Sequence, residues 1–316
     1  MILEKVKTLS RRPKGESIHG WLVVDKPRGL SSNAVVGRVR RLFRAAKAGH
    51  GGTLDPLATG ILPVAFGEAT KTVSYIMNGE KAYQFTIRWG ESRATDDAEG
   101  EITSISDVRP NYAQIVYALN SFIGDIEQVP PVYSAIKVGG KRAYDLARSN
   151  IEVKLKPRKI HVKRFELIDA PDRDHATFQV VCGKGSYMRG LARDLSLKLG
   201  TVGYISALRR LKVGPFNEKN AISLDKLETI RHSAPLADHL LAVETALDDI
   251  PALTLTDDEA RNLQYGRAIS ILPVANRSSL KKVDPSAVYC AMSSGKLVAL
   301  TKIVGGEVRP LRVINI

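Results

Sequence analysis

The sequence predicts an α+β fold: a mixed, mainly antiparallel sheet flanked by helices, followed by a small β-rich module. Three observations lead there. Strand patterns outnumber helical ones, and the two are interspersed without the strict alternation that builds a parallel sheet. From about Pro251 the texture changes to short strand candidates punctuated by Gly266, Gly295, Gly305 and Gly306. At 316 residues, 44% of them apolar, the chain has length and composition for one large and one small domain.

In chain order, Gly20 to Asp25 (GWLVVD) reads as a buried strand. Ser31 or Ser32 caps the helix after it, where Val35, Val36, Val39, Leu42 and Phe43 share one face and arginines the other. A loop follows from Gly51 to Gly60, then the strand-like run Ile61 to Phe66 and a second helix over Ala69 to Met77. Tyr83, Phe85, Ile87 and Trp89 alternate with polar residues, a half-buried strand. Residues 95–100 (TDDAEG) form a polar loop, and Ile115, Ala118, Leu119 and Phe122 mark a helix near Tyr112 to Phe122. Val138-Gly139-Gly140-Lys141 is a hairpin or a strand-to-helix turn. Strands are expected over 158–168, 176–182 and 202–213, with a helix from Ser186 to Leu199 between the last two. Beyond Pro251, a short helix over Asp257 to Gln264 precedes strands at 268–274, 287–292, 297–303 and 307–314.

Composition narrows the function. Cys182 and Cys290 lie far apart and read as small buried hydrophobes, not as a disulfide or a zinc knuckle. The six histidines show no metal-ligand spacing, so no metal is expected. The first seventeen residues are polar and basic, unlike a signal peptide. No run approaches the ~20 apolar residues of a membrane helix. A soluble, cytoplasmic protein without a membrane role is expected. The net charge of +14 points to a polyanion. It is clustered: Arg38, Arg40, Arg41, Arg44 and Lys47; then Lys154, Lys156, Arg158, Lys159, Lys163 and Arg164; then Arg209, Arg210 and Lys212. Each cluster is interleaved with core-type residues, as in a folded nucleic-acid groove.

The most telling stretch is Gly51-Gly52-Thr53-Leu54-Asp55-Pro56-Leu57-Ala58-Thr59-Gly60. A surface turn usually carries several polar residues. Here a single carboxylate, Asp55, stands among apolar neighbours, with Pro56 fixing the backbone beside it. An isolated Asp-Pro pair is an ordinary turn; the preceding His50 and the following strand favour a rigidly held acid at the edge of an apolar pocket.

Three segments read together: Val24 to Ser32 (VDKPRGLSS), His50 to Gly60, and Gly185 to Leu195 (GSYMRGLARDL). With these motifs in this order, residues 18 to 215 resemble the TruB-type tRNA pseudouridine synthases, which convert the uridine at tRNA position 55, in the T loop, to pseudouridine. The C-terminal stretch is similar to a PUA module. The implied organisation is a basic extension over 1–17, a catalytic domain over 18–250 and a PUA-like RNA-binding module over 251–316.

The resemblance implies roles residue by residue. Asp55 is the catalytic carboxylate and Arg189 its cationic partner. Asp97 is an acid that buttresses Arg189. Tyr83 stacks on the target uracil and moves a proton at C2′ through its hydroxyl. Tyr187 and Leu208 hold the flipped base, His50 fills the space left in the T loop, and Lys26 packs behind the site. The expected partner is the T arm of tRNA, met by a monomer with no cofactor and no obligatory protein partner. The chemistry is consistent with that. Isomerisation breaks C1′–N1 and joins C1′ to C5, adding nothing, and the chain carries no Walker loop and no GxGxxG after a strand. Arg189 also offsets the cost of burying a carboxylate among Leu54, Leu57 and Ala58.

Ser186 stands where threonine is common in the family, and Gly190 where serine or threonine is common. Both should leave Arg189 in place, with a looser helix around Gly190. Three other readings share the catalytic residues or the charge: the catalytic subunit of a guide-RNA particle, an RNA chaperone acting on the T arm, and a glycosylase that releases free uracil.

Overall fold

A computed structural model of the chain describes residues 15–149, 151–231, 233, 235–278 and 283–316. Most of the basic extension expected over 1–17 lies outside the described residues, as does His232.

A ten-stranded sheet is the frame. Its strands are β1 (Gly20–Lys26), β2 (Ala48–His50), β3 (Thr59–Phe66), β4 (Lys81–Trp89), then β7 (Gly124–Gln128), β10 (Arg158–Asp169), β11 (His175–Cys182), β12 (Gly203–Val213), β13 (Phe216–Asn217) and β14 (Ile222–Ser223). Two hairpins stand apart from it, β5 (Glu91–Arg93) with β6 (Ile102–Ile105), and β8 (Lys137–Val138) with β9 (Lys141–Arg142). The main path runs β14-β1-β3-β12-β4-β11-β10-β7, with β2 beside β3 and β13 beside β12. Only β1·β14 and β3·β12 are parallel, so the sheet is mixed and mainly antiparallel, as the sequence predicts.

The helices are α1 (Ser32–Leu42), α2 (Val73–Asn78), α3 (Tyr112–Leu119), α4 (Ala143–Arg148), α5 (Met188–Lys198) and α6 (Leu224–Ile230). Ser31 caps α1, accepting from the Ala34 amide. Ser32 is thereby free to bond elsewhere. Its hydroxyl donates to Leu54 O at 2.9 Å and accepts from Leu54 N at 2.7 Å. The start of α1 therefore pins the Asp55 loop. The segment expected as one helix from Ala69 begins as a 3-10 turn, Gly67–Lys71, before α2.

One apolar cluster joins Val35, Val39 and Phe43 of α1 to Leu62, Val64 and Phe66 of β3, Phe85 and Trp89 of β4, and Leu191 and Leu195 of α5. A second joins Trp21, Val23 and Ile61 with Val213 and Phe216, and reaches into the C-terminal part through Cys290, Leu297, Leu300 and Ile314. Both cysteines are buried and free.

The C-terminal part is a five-stranded sheet of β15 (Ala252–Thr254), β16 (Ile269–Ser270), β17 (Val288–Ser293), β18 (Lys296–Val304) and β19 (Glu307–Val313), in the order β15-β17-β18-β19-β16. Helix α7 (Asp257–Gln264) matches its expected bounds, fixed by a capping box between Thr256 and Glu259. The strand expected over 268–274 is a correction: it is the two residues of β16 followed by a helix, α8 (Ile271–Arg277). Pro273 is the third residue of α8, where no intrahelical N–H is required, whereas in a strand it would remove a ladder bond. Ile271 and Val274, three apart, bury the same face.

Candidate active site

The loop carrying Asp55 is held from several sides. Leu54, Leu57 and Ala58 are buried in the main cluster, Ser32 grips Leu54, and Ala58 N donates to Asp55 O at 3.1 Å. Lys26 lies behind the loop, fully buried, its ammonium donating to Leu30 O at 2.6 Å, Pro27 O at 2.9 Å and Pro56 O at 3.2 Å. Burial pushes its pKa down to about 8, against a smaller opposing pull from Asp55. What remains open is the carboxylate of Asp55, whose side chain is 36% exposed.

Helix α5 brings its partner. Arg189 Nε sits 2.9 Å from Asp55 Oδ2 and 3.6 Å from Asp97 Oδ2. Its other two nitrogens donate to Thr95 O at 2.8 Å and Tyr133 O at 2.9 Å. The guanidinium is buried, as is Asp97. Asp97 also accepts from the Thr95 hydroxyl and from Glu99 N. A second arginine one turn on, Arg193, pairs with Asp96 at 3.2 Å, so the 95–100 loop is tied to α5 twice. Asp55, Arg189 and Asp97, expected together from the sequence, meet in one network.

Tyr83 lies on β4, buried, and burial raises its pKa. Across the strand boundary its register partner is Arg210 of β12, whose charge opposes part of that rise. Tyr187 is the residue just before α5. Its backbone N–H and C=O are both met by the Gln128 side chain, at 2.9 and 3.0 Å. Burial raises the Tyr187 pKa as well. His50, at the end of β2, is half-buried; its Nδ1 has no hydrogen-bond partner among the described residues, and burial followed by the charge of Arg210 lowers its pKa. Leu208 is buried on β12 beside Leu57 and Phe85, where these three side chains line an open depression of about 270 Å³. Asp55 does not line it.

Two residues were not expected at the site. Gln128 sits on the mostly polar edge strand β7, which leaves no apolar signal. A Cβ on Gly190 would come 2.9 Å from the Gln128 amide. The glycine at this helix position thus makes room for Gln128, and the helix is closely packed there, not loosened. Arg210 is the second. The sequence groups it with Arg209 and Lys212 as a phosphate-facing cluster, and the structure corrects that. Arg210 is 1% exposed and donates to Ile61 O, Gly52 O and Thr53 O. Arg209 is paired with Asp25 at 2.9 Å and Glu218 at 2.6 Å. Lys212 alone of the three is exposed. The first cluster is partly engaged by the protein's own acceptors. Arg38 pairs with Glu228 at 2.7 Å and Arg40 donates to Ala45 O and Ala46 O, while Arg40, Arg41, Arg44 and Lys47 are all exposed. The cations from Lys154 to Arg164 are all exposed. Among the described residues no three His, Cys, Asp or Glu side chains group as metal ligands, and no helix is long and apolar enough to cross a membrane.

Residues 40–188 match the family model described as TruB family pseudouridylate synthase (N terminal domain). Residues 189–248 match that of the tRNA pseudouridylate synthase B C-terminal domain. A protein from Rhodospirillum rubrum named tRNA pseudouridine synthase B is 55% identical over 308 residues, 98% of this chain and all of its own length. Its namesake from Caulobacter vibrioides is 50% identical over 309 residues, again 98% of this chain and all of its own. Among solved structures, one described as a Cbf5-Nop10-Gar1 complex superposes with a TM-score of 0.75 at 25% identity, covering 94% of this chain and 85% of the other.

Proposed function

The chain belongs to the TruB family of pseudouridylate synthases, and on that premise we propose that it isomerises the uridine at position 55 of tRNA, in the T loop, to pseudouridine, acting without cofactor or guide RNA. It is an isomerase acting on tRNA; the choice of uridine and the mechanism are our reading. The observation that carries it is the 2.9 Å pair between Asp55 and the buried Arg189, set on an otherwise apolar loop.

In this mechanism the uridine leaves its stack, because a folded loop hides its glycosidic bond. The Asp55 carboxylate acts on C1′, as nucleophile or by stabilising the positive charge that develops there. The C1′–N1 bond breaks, the base turns, and C1′ joins C5; C5 then gives up its proton and N1 gains one, so the product is an isomer. Tyr83 stacks on the base and its hydroxyl moves a proton at C2′. Arg189 holds the carboxylate in line, and Asp97 holds Arg189. Tyr187 and Leu208 bound the base, His50 occupies the space it vacates in the T loop, and Lys26 fixes the loop from behind. Residues 18–250 form the catalytic unit and 251–316 a PUA-like module for RNA. The exposed cations at 41–47 and 154–164 meet the T-arm phosphates, since RNA stems are held by shape and backbone. We place the enzyme in the cytoplasm as a monomer.

A second reading, catalytic subunit of a guide-RNA particle, is favoured by the similarity to Cbf5 in its complex with Nop10 and Gar1. One experiment separates them: incubation with unmodified tRNA, no guide RNA, no other protein and excess chelator, followed by base-resolution mapping. Pseudouridine at position 55 alone supports the first reading. A requirement for guide RNA supports the second, and free uracil supports neither.

A further inference from the structure

Among the described residues Arg210 is the largest charged side chain that is almost fully buried, and the mechanism above gives it no work. Its surroundings are specific. Nε donates to Ile61 O at 2.8 Å, Nη2 to Gly52 O at 3.1 Å and Nη1 to Thr53 O at 3.4 Å. Gly52 and Thr53 lie before Asp55 in the chain, and Ile61 lies after it. One rigid plane therefore ties the two ends of the Asp55 loop. Directly across on the adjacent strand its register partner is Tyr83, which is also buried.

The backbone at Arg210 is fixed as tightly as its side chain. Gly60 has a φ of +96°, and a Cβ there would lie 2.2 Å from Arg210 O. Strands β3 and β12 approach at a distance only glycine permits. No carboxylate lies within ion-pair distance of Arg210 among the described residues. A buried charge held by neutral carbonyls is an expensive way to fill space. An apolar side chain would pack there at lower cost, so the planar fork itself is what the position uses.

We infer that Arg210 is a positioning residue that sets the Tyr83 phenol against the Asp55 loop. The guanidinium has donors only, so toward this neighbour the phenol can act only as an acceptor. The phenol's own O–H finds no acceptor on Arg210 and is left to serve another group. The same plane fixes where the Asp55 loop begins and ends. This rests on the reading that Asp55 and Tyr83 act on one uridine.

The test is single-turnover kinetics on unmodified tRNA for Arg210→Lys and Arg210→Met, each in the wild-type and the Tyr83→Phe background. Folding is followed by thermal unfolding, and tRNA affinity is measured separately. Arg210→Lys keeps the charge and loses the fork. It should fold, bind tRNA as the wild type does, and react about 10²-fold more slowly, the cost of a misplacement near 1 Å. In the Tyr83→Phe background the same substitution should cost markedly less, because the group it orients is gone. Equal losses in the two backgrounds, to within about twofold, would mark independent sites and overturn the inference alone. A wild-type rate for Arg210→Lys, or failure of both Arg210 variants to fold, would reduce Arg210 to a core residue and also overturn it. Tyr83→Phe reacting at the wild-type rate by itself would remove the reading of Tyr83, and the inference with it.

Discussion

Replacing Arg189 by lysine keeps a positive charge and removes the fork on which the site is built. In the wild type, Nη1 and Nη2 donate to Thr95 O and Tyr133 O at 2.8 and 2.9 Å, while Nε faces Asp55 at 2.9 Å with Asp97 3.6 Å away. A lysine ammonium carries its three donors on one atom and cannot reach acceptors spread around a plane. A buried acceptor left without a donor costs about 1–3 kcal/mol, so two carbonyls put the loss at about 2–6 kcal/mol. Thr95 and Tyr133 are half-buried, so water recovers part of that and the lower end applies. Arg189→Lys should therefore fold, about 2 kcal/mol less stable, out of about 5–15 kcal/mol for a typical domain. The carboxylate of Asp55 loses its 2.9 Å partner or gains one in a different place, and the rate should fall about 10²-fold. The assay is single-turnover pseudouridine formation, with urea unfolding and tRNA binding measured on the same preparation. A rate within about threefold of wild type is what an exposed, screened ion pair would give, and would refute this reasoning.

Asp55→Asn keeps the shape and loses the charge, so turnover should vanish while tRNA affinity changes little; turnover of the pure variant near the wild-type rate would remove Asp55 from the mechanism. Burial holds Lys26 and Lys81 at about 8 against an ordinary 10.5, so the unfolded chain binds more protons than the folded one above that point, and each lysine adds stability as pH rises. Cys182 and Cys290, pushed up by burial to about 11 and about 12, act in the opposite sense at higher pH. Between about pH 8 and about pH 9, the urea stability of wild type relative to Lys81→Met should therefore rise, by at most about 1.4 kcal/mol per pH unit; a constant difference would contradict it. Affinity for tRNA should fall linearly in log salt, and replacing exposed Lys156 or Arg158 should each reduce the slope by about 0.7–0.9, whereas a salt-independent affinity would end the phosphate-contact reading.

The chain announces its fold where local rules and tertiary packing agree. The first strand, α1 with its serine cap, the alternation through β4 and the capping box of α7 are all legible for that reason. It misleads where a local pattern has two solutions. The apolar residues around Pro273 fit a short strand or a first helical turn, and only the missing N–H of the proline decides for the helix. Edge strand β7 is polar along most of its length, so periodicity cannot find it, and Gln128 goes unnoticed with it.

Arg210 is the instructive case, because the signal was present. Arg209 and Arg210 stand side by side in a cationic run, yet adjacent residues of a strand face opposite sides of the sheet. Leu208 and Arg210 share a face, and Leu208 reads as core. Period-two counting alone therefore sends Arg210 inward and Arg209 outward to Asp25 and Glu218. The candidate site follows the same logic on a larger scale. Leu54, Leu57 and Ala58 exclude water from the loop around one carboxylate, so cations must take its place. They come from three distant segments: Lys26 at the end of β1, Arg189 on α5 and Arg210 on β12. Asp55, Asp97 and Glu99 stand against them, each felt by at least one of the three. Lys26 and Arg189 fall within contiguous motifs and can be read from them. Arg210 falls in none, and its place in this balance exists only once β12 is laid between β3 and β4.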